Sequence, residues 1–218
     1  MTTRIAILIS GNGSNMKSLV EAISQGHDYS ARAKVTRVIS NNPKAAGLDF
    51  ARSHDIETRI VNHRDYDSRE AFDEALAESL DDIELVLLAG FMRVLGTSFV
   101  ARFSGRLLNI HPSLLPDYPG LQTHARAIAA GERYAGASVH FVTAELDGGP
   151  VILQARVKID PDDTVETLAA RVLSKEHVIY PLALRYLLDG SISLDTDSNG
   201  LAVCRYQGVA LDTPLLLE

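Results

Sequence analysis

The chain has 218 residues, 46% of them hydrophobic and 22% charged. These values suit one α/β domain with a sizeable core and exclude a disordered or fibrous chain. Lys and Arg number 21 against 28 Asp and Glu, a net charge of −7; with no Lys/Arg run longer than two residues, this argues against nucleic acid as a partner. The single cysteine, Cys204, allows neither an internal disulfide nor a cysteine-based metal site. The apolar stretches, such as Leu85–Ala89, are too short to cross a bilayer. With no basic–apolar leader, the expectation is a cytoplasmic protein without a membrane partner.

In chain order, short apolar runs alternate with segments of helical period. Arg4–Ser10 reads as a strand. Met16, Leu19, Val20 and Ile23 follow at helical spacing, with Gly26 as the stop. Lys34–Ser40 is a second strand, Ala45–His54 a helix, and Glu57–Val61 a third strand. The next helix begins near Ser68, with Asp67 as the expected cap and Glu70 three residues on. Leu85–Ala89 is apolar throughout, as a central parallel strand covered on both faces would be. Arg106–His111 is another strand, and Thr123–Ala130 a helix with a Thr cap and Gly131 at its end. Gly136–Thr143 and Val151–Ile159 are strands joined through a turn at Asp147-Gly148-Gly149. Thr164–Leu188 is a long helix, and the tail from Ser191 gives weak strand signals. The alternation predicts a doubly wound, mainly parallel sheet with helices on both faces, whose ligands gather at the C-terminal ends of the strands.

Six places carry polar groups where such a fold would use them. Gly11-Asn12-Gly13-Ser14-Asn15 lies between the first strand and the first helix. Its glycines and helix amides suit an anion, most simply a phosphate monoester. A plain turn capped by Ser14 or Asn15 is the alternative. The full dinucleotide fingerprint and the Walker lysine are both missing. In Leu107–Pro116, Asn109 and His111 stand two apart on a strand and so share a face. Asp147 is either a turn residue or a carboxylate that pairs with His111. Glu176 falls on the apolar stripe of the long helix (Val165, Leu168, Ala169, Val172, Leu173, Ile179, Tyr180, Ala183), where a carboxylate needs a partner. That partner is either a ligand hydroxyl or an internal cation. Gly90–Leu95 is an apolar loop that could hold a flat heterocycle or simply cover the core. Arg69, in the first turn of a helix, either serves an anionic ligand tail or is a solvated surface arginine. His140 is a weaker candidate, with an ordinary strand histidine as the favoured reading. No His spacing offers a metal-ligand set.

The stretches ISGNGSN, LLAGFMRVL, GRLLNIHPSLLPDYPGLQTH, SVHFVTAELDGGPVILQ and EHVIYP together resemble the phosphoribosylglycinamide formyltransferases of the formyltransferase-fold superfamily. NIHPSLLP marks the superfamily; ISGNGSN and EHVIYP narrow it. The resemblance runs from about Arg4 to Leu188. It implies a catalytic domain over residues 1–190, an extension packed on it over 191–218, and a seven-stranded sheet ordered 3-2-1-4-5-6-7 with its last part antiparallel. It also implies transfer of the formyl group of 10-formyltetrahydrofolate to the amine of glycinamide ribonucleotide, without a metal. Small molecules would be the partners, and a homodimer is left open. By that resemblance Asn109, His111 and Asp147 carry catalysis. Gly13, Ser14 and Asn15 hold the substrate phosphate, and Glu176 contacts the ribonucleotide. Arg69, Met92, Arg93, Val94 and Leu95, together with Asn109, bind the folate. Methionyl-tRNA formyltransferase would add a C-terminal domain and face tRNA, and formyltetrahydrofolate hydrolase would add an N-terminal one. A non-catalytic module that kept the phosphate loop, or a nicotinamide-dependent reductase on the same layered fold, are the readings from other classes.

Overall fold

A computed structural model describes residues 2–26 and 32–217. In chain order its elements are β1 (Thr3–Ile9), α1 (Ser14–Gln25), β2 (Ala33–Ser40), α2 (Gly47–Ser53), β3 (Glu57–Ile60), a 3-10 turn (His63–Asp65) and α3 (Arg69–Glu78). Then come β4 (Leu85–Leu88), α4 (Thr97–Arg102), β5 (Leu107–His111), α5 (Thr123–Ala129), β6 (Tyr134–Phe141), β7 (Val151–Lys158) and α6 (Val165–Leu188). The tail adds β8 (Ile192–Thr196), β9 (Ala202–Tyr206), β10 (Val209–Ala210) and β11 (Leu215–Leu217). The main sheet has eight strands ordered β11-β7-β6-β5-β4-β1-β2-β3, and a small sheet is ordered β10-β9-β8. The expected order is therefore present with one strand more: β11, from the tail, pairs parallel with β7. The pairs β1/β2, β1/β4 and β2/β3 are parallel and β6/β7 is antiparallel. The chain divides into two compact units, residues 1–108 and 109–218.

In the first unit, β1 and β4 are apolar because both their faces are covered. Ile5 to Ile9 are fully buried, and Leu85 to Leu88 are at most 6% exposed. Each Val, Leu or Ile among them contributes about 2 kcal/mol relative to exposure. Helix α1 lays Met16, Leu19, Val20 and Ile23 inward at the spacing of one helical face, and the Gly26 N–H closes it on the Ala22 carbonyl. Its N-cap is Gly13 in a left-handed conformation (φ 67°) with no side-chain cap, so neither Ser14 nor Asn15 caps it. The expected Asp67 cap of α3 is also replaced: Ser68 takes the position, and its Oγ accepts from the Ala71 N–H at 3.1 Å. A serine hydroxyl one residue later still reaches the third helical amide, which the aspartate is a residue too early to do. Helix α4, a six-residue piece, has no counterpart among the expected elements.

In the second unit, β6 starts at Tyr134 and ends at Phe141, two residues earlier than the expected Gly136–Thr143. Helix α5 is preceded by Gln122 in a left-handed conformation (φ 56°) without a side-chain cap, in place of the expected Thr cap; Thr123 is instead buried as its first residue. Helix α6 opens with a reciprocal capping box between Thr164 and Thr167, which satisfies two of the orphan amide donors at a helix start. It buries Leu168, Val172, Glu176, Ile179, Tyr180 and Ala183. Val165, assigned to that stripe from the sequence, is 40% exposed because it sits in the first turn.

Candidate active site

The second unit gathers four polar side chains that the sequence disperses. Asn109 and His111 project from the same face of β5, as their spacing predicts. His140 lies near the end of β6, and Asp147 in the connection to β7. His111 Nδ1 stands 3.5 Å from Asp147 Oδ2, with the two side chains only 7% and 10% exposed. The other nitrogen of His111, Nε2, donates to the Tyr118 carbonyl at 3.0 Å. Both ring nitrogens thus face oxygens, an environment suited to two N–H donors. Asp147 Oδ2 also accepts from the Gly120 N–H at 2.9 Å, and Oδ1 lies 3.9 Å from His140 Nε2.

The turn that presents Asp147 needs Gly149. Asp147 itself is left-handed at φ 52°. A Cβ at Gly149 would fall 1.8 Å from the Phe141 carbonyl oxygen, and one at Gly148 would fall 2.5 Å from the Glu145 side chain. At Gly149 no other residue fits without moving backbone, whereas at Gly148 the Glu145 side chain would have to turn away. The expected Asp-Gly-Gly turn is therefore also a mount for a carboxylate.

His140 meets Asn109 across the strands, a contact the sequence does not indicate. It is 2% exposed. Its Nδ1–H donates to the Phe141 carbonyl at 2.9 Å, which leaves Nε2 as the acceptor for Asn109 Nδ2–H at 3.1 Å. The network therefore fixes a neutral Nδ1–H tautomer. Burial pushes the imidazolium down to about pKa 4, against a partial lift from the Phe141 bond and Asp147. This neutral histidine sets the orientation of the Asn109 amide. The available signal was a polar residue in a strand otherwise of small and apolar side chains, two positions after Ser138, which is also buried. Ser138 Oγ donates to the Ser113 carbonyl at 2.6 Å and accepts from Leu115 N–H at 3.0 Å, and Gln154 Nε2 donates to the Leu115 carbonyl at 2.8 Å. These bonds hold the turn after His111, where the Leu115–Pro116 peptide is cis.

Glu176, in the same unit, is 6% exposed, with Val172, Ile179 and Tyr180 fully buried on the same helix. Its place on the buried stripe is as the sequence indicated.

The first unit places the other candidates. Gly11–Asn15 follows β1 and Gly90–Leu95 follows β4; the two strands are parallel neighbours, so both loops leave the same end of the sheet. A Cβ at Gly13 would sit 2.8 Å from Met16 Cε and 3.3 Å from the Gly47 Cα, so the tight approach of α1 and α2 requires glycine there. With no side-chain cap, the first amides and the dipole of α1 form an arrangement that suits an anion. Met92 and Val94 are 66% and 53% exposed, and Arg93 is exposed as well. Arg69, the first residue of α3, is half exposed and 3.9 Å from the neighbouring Glu70. Among the described residues no group of three or more His, Cys, Asp or Glu is arranged to hold a metal ion, and no helix is long and apolar enough to cross a membrane.

Comparison with known proteins adds the following. A family profile described as formyl transferase matches residues 3–184. The phosphoribosylglycinamide formyltransferase of Escherichia coli is 45% identical over 212 residues, covering 95% of this chain and 99% of that protein. The enzyme of the same name from Haemophilus influenzae is 40% identical over 88% of this chain and 90% of its own length. Among solved structures, the phosphoribosylglycinamide formyltransferase of Coxiella burnetii in complex with CHES superposes with a TM-score of 0.91 at 43% identity, covering all of both chains.

Proposed function

The chain belongs to the formyl transferase family, and from that premise we propose that it transfers the formyl group of 10-formyltetrahydrofolate to the amine of glycinamide ribonucleotide. The observation that carries the reading is the buried cluster in which His111 faces Asp147 at 3.5 Å and Asn109 is oriented by neutral His140 at 3.1 Å. Acyl transfer between two nitrogens needs donors for a developing oxyanion and a carrier for protons, and this cluster offers both.

In this reading the neutral amine of the substrate attacks the formyl carbon. The carbonyl π electrons move to oxygen, giving a tetrahedral intermediate. His111 and the remaining Asn109 N–H donate to that oxygen, each such donor being worth about 3 kcal/mol. An oxyanion is a stronger acceptor than the Tyr118 carbonyl that His111 Nε2–H now engages. Asp147 keeps the ring oriented and compensates its positive charge. The attacking nitrogen loses a proton and the folate nitrogen gains one, through His111 or Asp147 by way of water. The C–N bond to folate then breaks as the oxyanion collapses, giving formylglycinamide ribonucleotide and tetrahydrofolate.

The remaining roles follow the same reading. The Gly13–Asn15 amides take the phosphate, and Glu176 takes a ribonucleotide hydroxyl. Met92–Leu95 and Asn109 receive the pterin, and Arg69 an anionic tail. Residues 1–190 act as the catalytic domain, with 191–218 packed on it; the pairing of Leu215–Leu217 with Leu153–Ala155 supports that packing.

The test follows formyl transfer from 10-formyltetrahydrofolate, or its dideaza analogue, by folate absorbance with and without glycinamide ribonucleotide. Ribonucleotide-dependent turnover that is lost in His111→Ala upholds the reading. Folate turnover without acceptor points to a hydrolase, and no reaction with tight folate binding refutes the acceptor.

A further inference from the structure

The loop from Gly90 to Gly96 is fastened at both roots by side chains of the first unit. At its start the Ser10 N–H donates to the Gly90 carbonyl at 3.1 Å, and the Met92 N–H donates to Ser10 Oγ at 2.8 Å. Ser10 Oγ in turn donates to Asn41 Oδ1 at 2.6 Å. At its end the Gly96 N–H donates to Asp73 Oδ2 at 2.7 Å. Between the two roots Met92 and Val94 are exposed.

Asp73 is a costly way to make that second fastening. It lies on α3, four residues after Arg69 and so on the same helical face, and it is 7% exposed. Its second oxygen, Oδ1, is buried with no hydrogen-bond partner among the described residues. Burial raises the carboxyl above its ordinary range, only partly offset by the Gly96 N–H and by Arg69 and Arg93, while Glu70 adds to the rise. A half-satisfied buried carboxylate weakens the fold around it. Local rules are broken in this way mainly where a group serves a site. The contact is also specific: a Cβ at Gly96 would fall 2.7 Å from Asp73 Oδ2 and 3.9 Å from Arg69 Nε. A cavity of about 290 Å³ elsewhere involves none of these residues, whereas one of about 240 Å³ is lined by Arg69, Asp73, Gly96 and Thr97.

We propose that Asp73 is a positioning residue for the Gly90–Gly96 loop, holding through the Gly96 N–H the conformation in which Met92–Leu95 receives the folate co-substrate. This rests on the reading above that the loop binds folate. Asp73 acts through the Gly96 N–H, on affinity for one of the two substrates, by fixing where the loop ends.

The test is steady-state kinetics of the full chain with the dideaza formyl donor and glycinamide ribonucleotide, alongside amide hydrogen exchange at Met92 and Gly96. Loss of one hydrogen bond predicts a rise of about five- to tenfold in the KM for the folate donor in Asp73→Ala, with the ribonucleotide KM within about twofold by the same argument. Asp73→Asn keeps an oxygen for the Gly96 N–H and returns most of the affinity. Exchange at Gly96 quickens in the alanine variant and not in the asparagine one. An equal rise in both KM values, an unchanged folate KM, or a lowered melting point alone overturns the proposal. If Asp73→Ala does not fold, Asp73→Glu, which moves the acceptor by one methylene, takes its place. If the parent protein shows no ribonucleotide-dependent transfer, the functional reading fails. The positioning role is then judged by exchange alone: faster exchange in the alanine variant with recovery in the asparagine variant upholds it, and unchanged exchange overturns it.

Discussion

Asp147→Asn separates the charge of this residue from its shape. Asparagine is isosteric, and its amide oxygen can still accept the Gly120 N–H, which now lies 2.9 Å from Oδ2. The left-handed backbone at φ 52° also suits asparagine as well as aspartate. The fold should therefore survive. What disappears is the negative charge 3.5 Å from His111 Nδ1. At an effective dielectric near 20, two unit charges at that separation attract by about 5 kcal/mol. A neutral hydrogen bond from the ring to the asparagine oxygen recovers roughly 1–2 kcal/mol of it. The net loss of about 3 kcal/mol in the state where the ring is positively charged corresponds to a fall of about a hundredfold in kcat. Stopped-flow or steady-state formyl transfer measures it, with circular dichroism and thermal melting as controls. A kcat within about threefold of the parent, with an unchanged melting curve, would show that the charge does not act in the rate-limiting step.

Three further outcomes follow from the same geometry. His140 is held neutral, with its folded pKa depressed to about 4, below the ordinary imidazole value near 6.5. The unfolded chain therefore binds a proton that the folded one does not between those values, so stability is full above about pH 6.5 and falls as pH drops toward 4, by about 3 kcal/mol in all. His140→Gln should flatten that slope in melting experiments between pH 7 and 5, and an unchanged slope would count against the assignment. Gly149→Ala places a methyl carbon 1.8 Å from the Phe141 carbonyl oxygen and should cost at least about 3 kcal/mol, a drop of roughly 6–12 °C in Tm; a melting point unchanged within error would refute the clash. Ser68→Ala should cost about 1 kcal/mol by removing the cap of α3, whereas Asp67→Ala should cost little; chemical denaturation of both variants decides between the two caps, and the reverse ranking would restore Asp67.

Much of this architecture could be read from residues that satisfy one local rule. Leu85–Leu88 announces a central strand because both its faces are buried, and Met16, Leu19, Val20 and Ile23 announce a helix because they fall on one face. Helix α4 escaped because six residues complete fewer than two turns, too short for a period to show. Strand β11 escaped because its partner β7 lies more than fifty residues earlier, and no local pattern encodes a pairing at that distance. At the site, the shared face of Asn109 and His111 follows from strand alternation alone. The meeting of His111 with Asp147 is a matter of tertiary approach, and the residues by themselves left it open. The bond between Asn109 and His140 across the strands is illegible for the same reason, since neither residue alone indicates it.

The late strand β11 also bears on the colloidal behaviour of the molecule. Leu215–Leu217 covers the backbone of Leu153–Ala155, a segment of β7 in which Leu153 and Ala155 are almost fully buried. Without those three residues, β7 would present a row of unsatisfied amides and carbonyls beside apolar side chains, the kind of border on which strands of other molecules assemble. β11 then forms the border of the sheet itself, but it is three residues long where β7 has eight, and so short a border offers few backbone groups to an incoming strand.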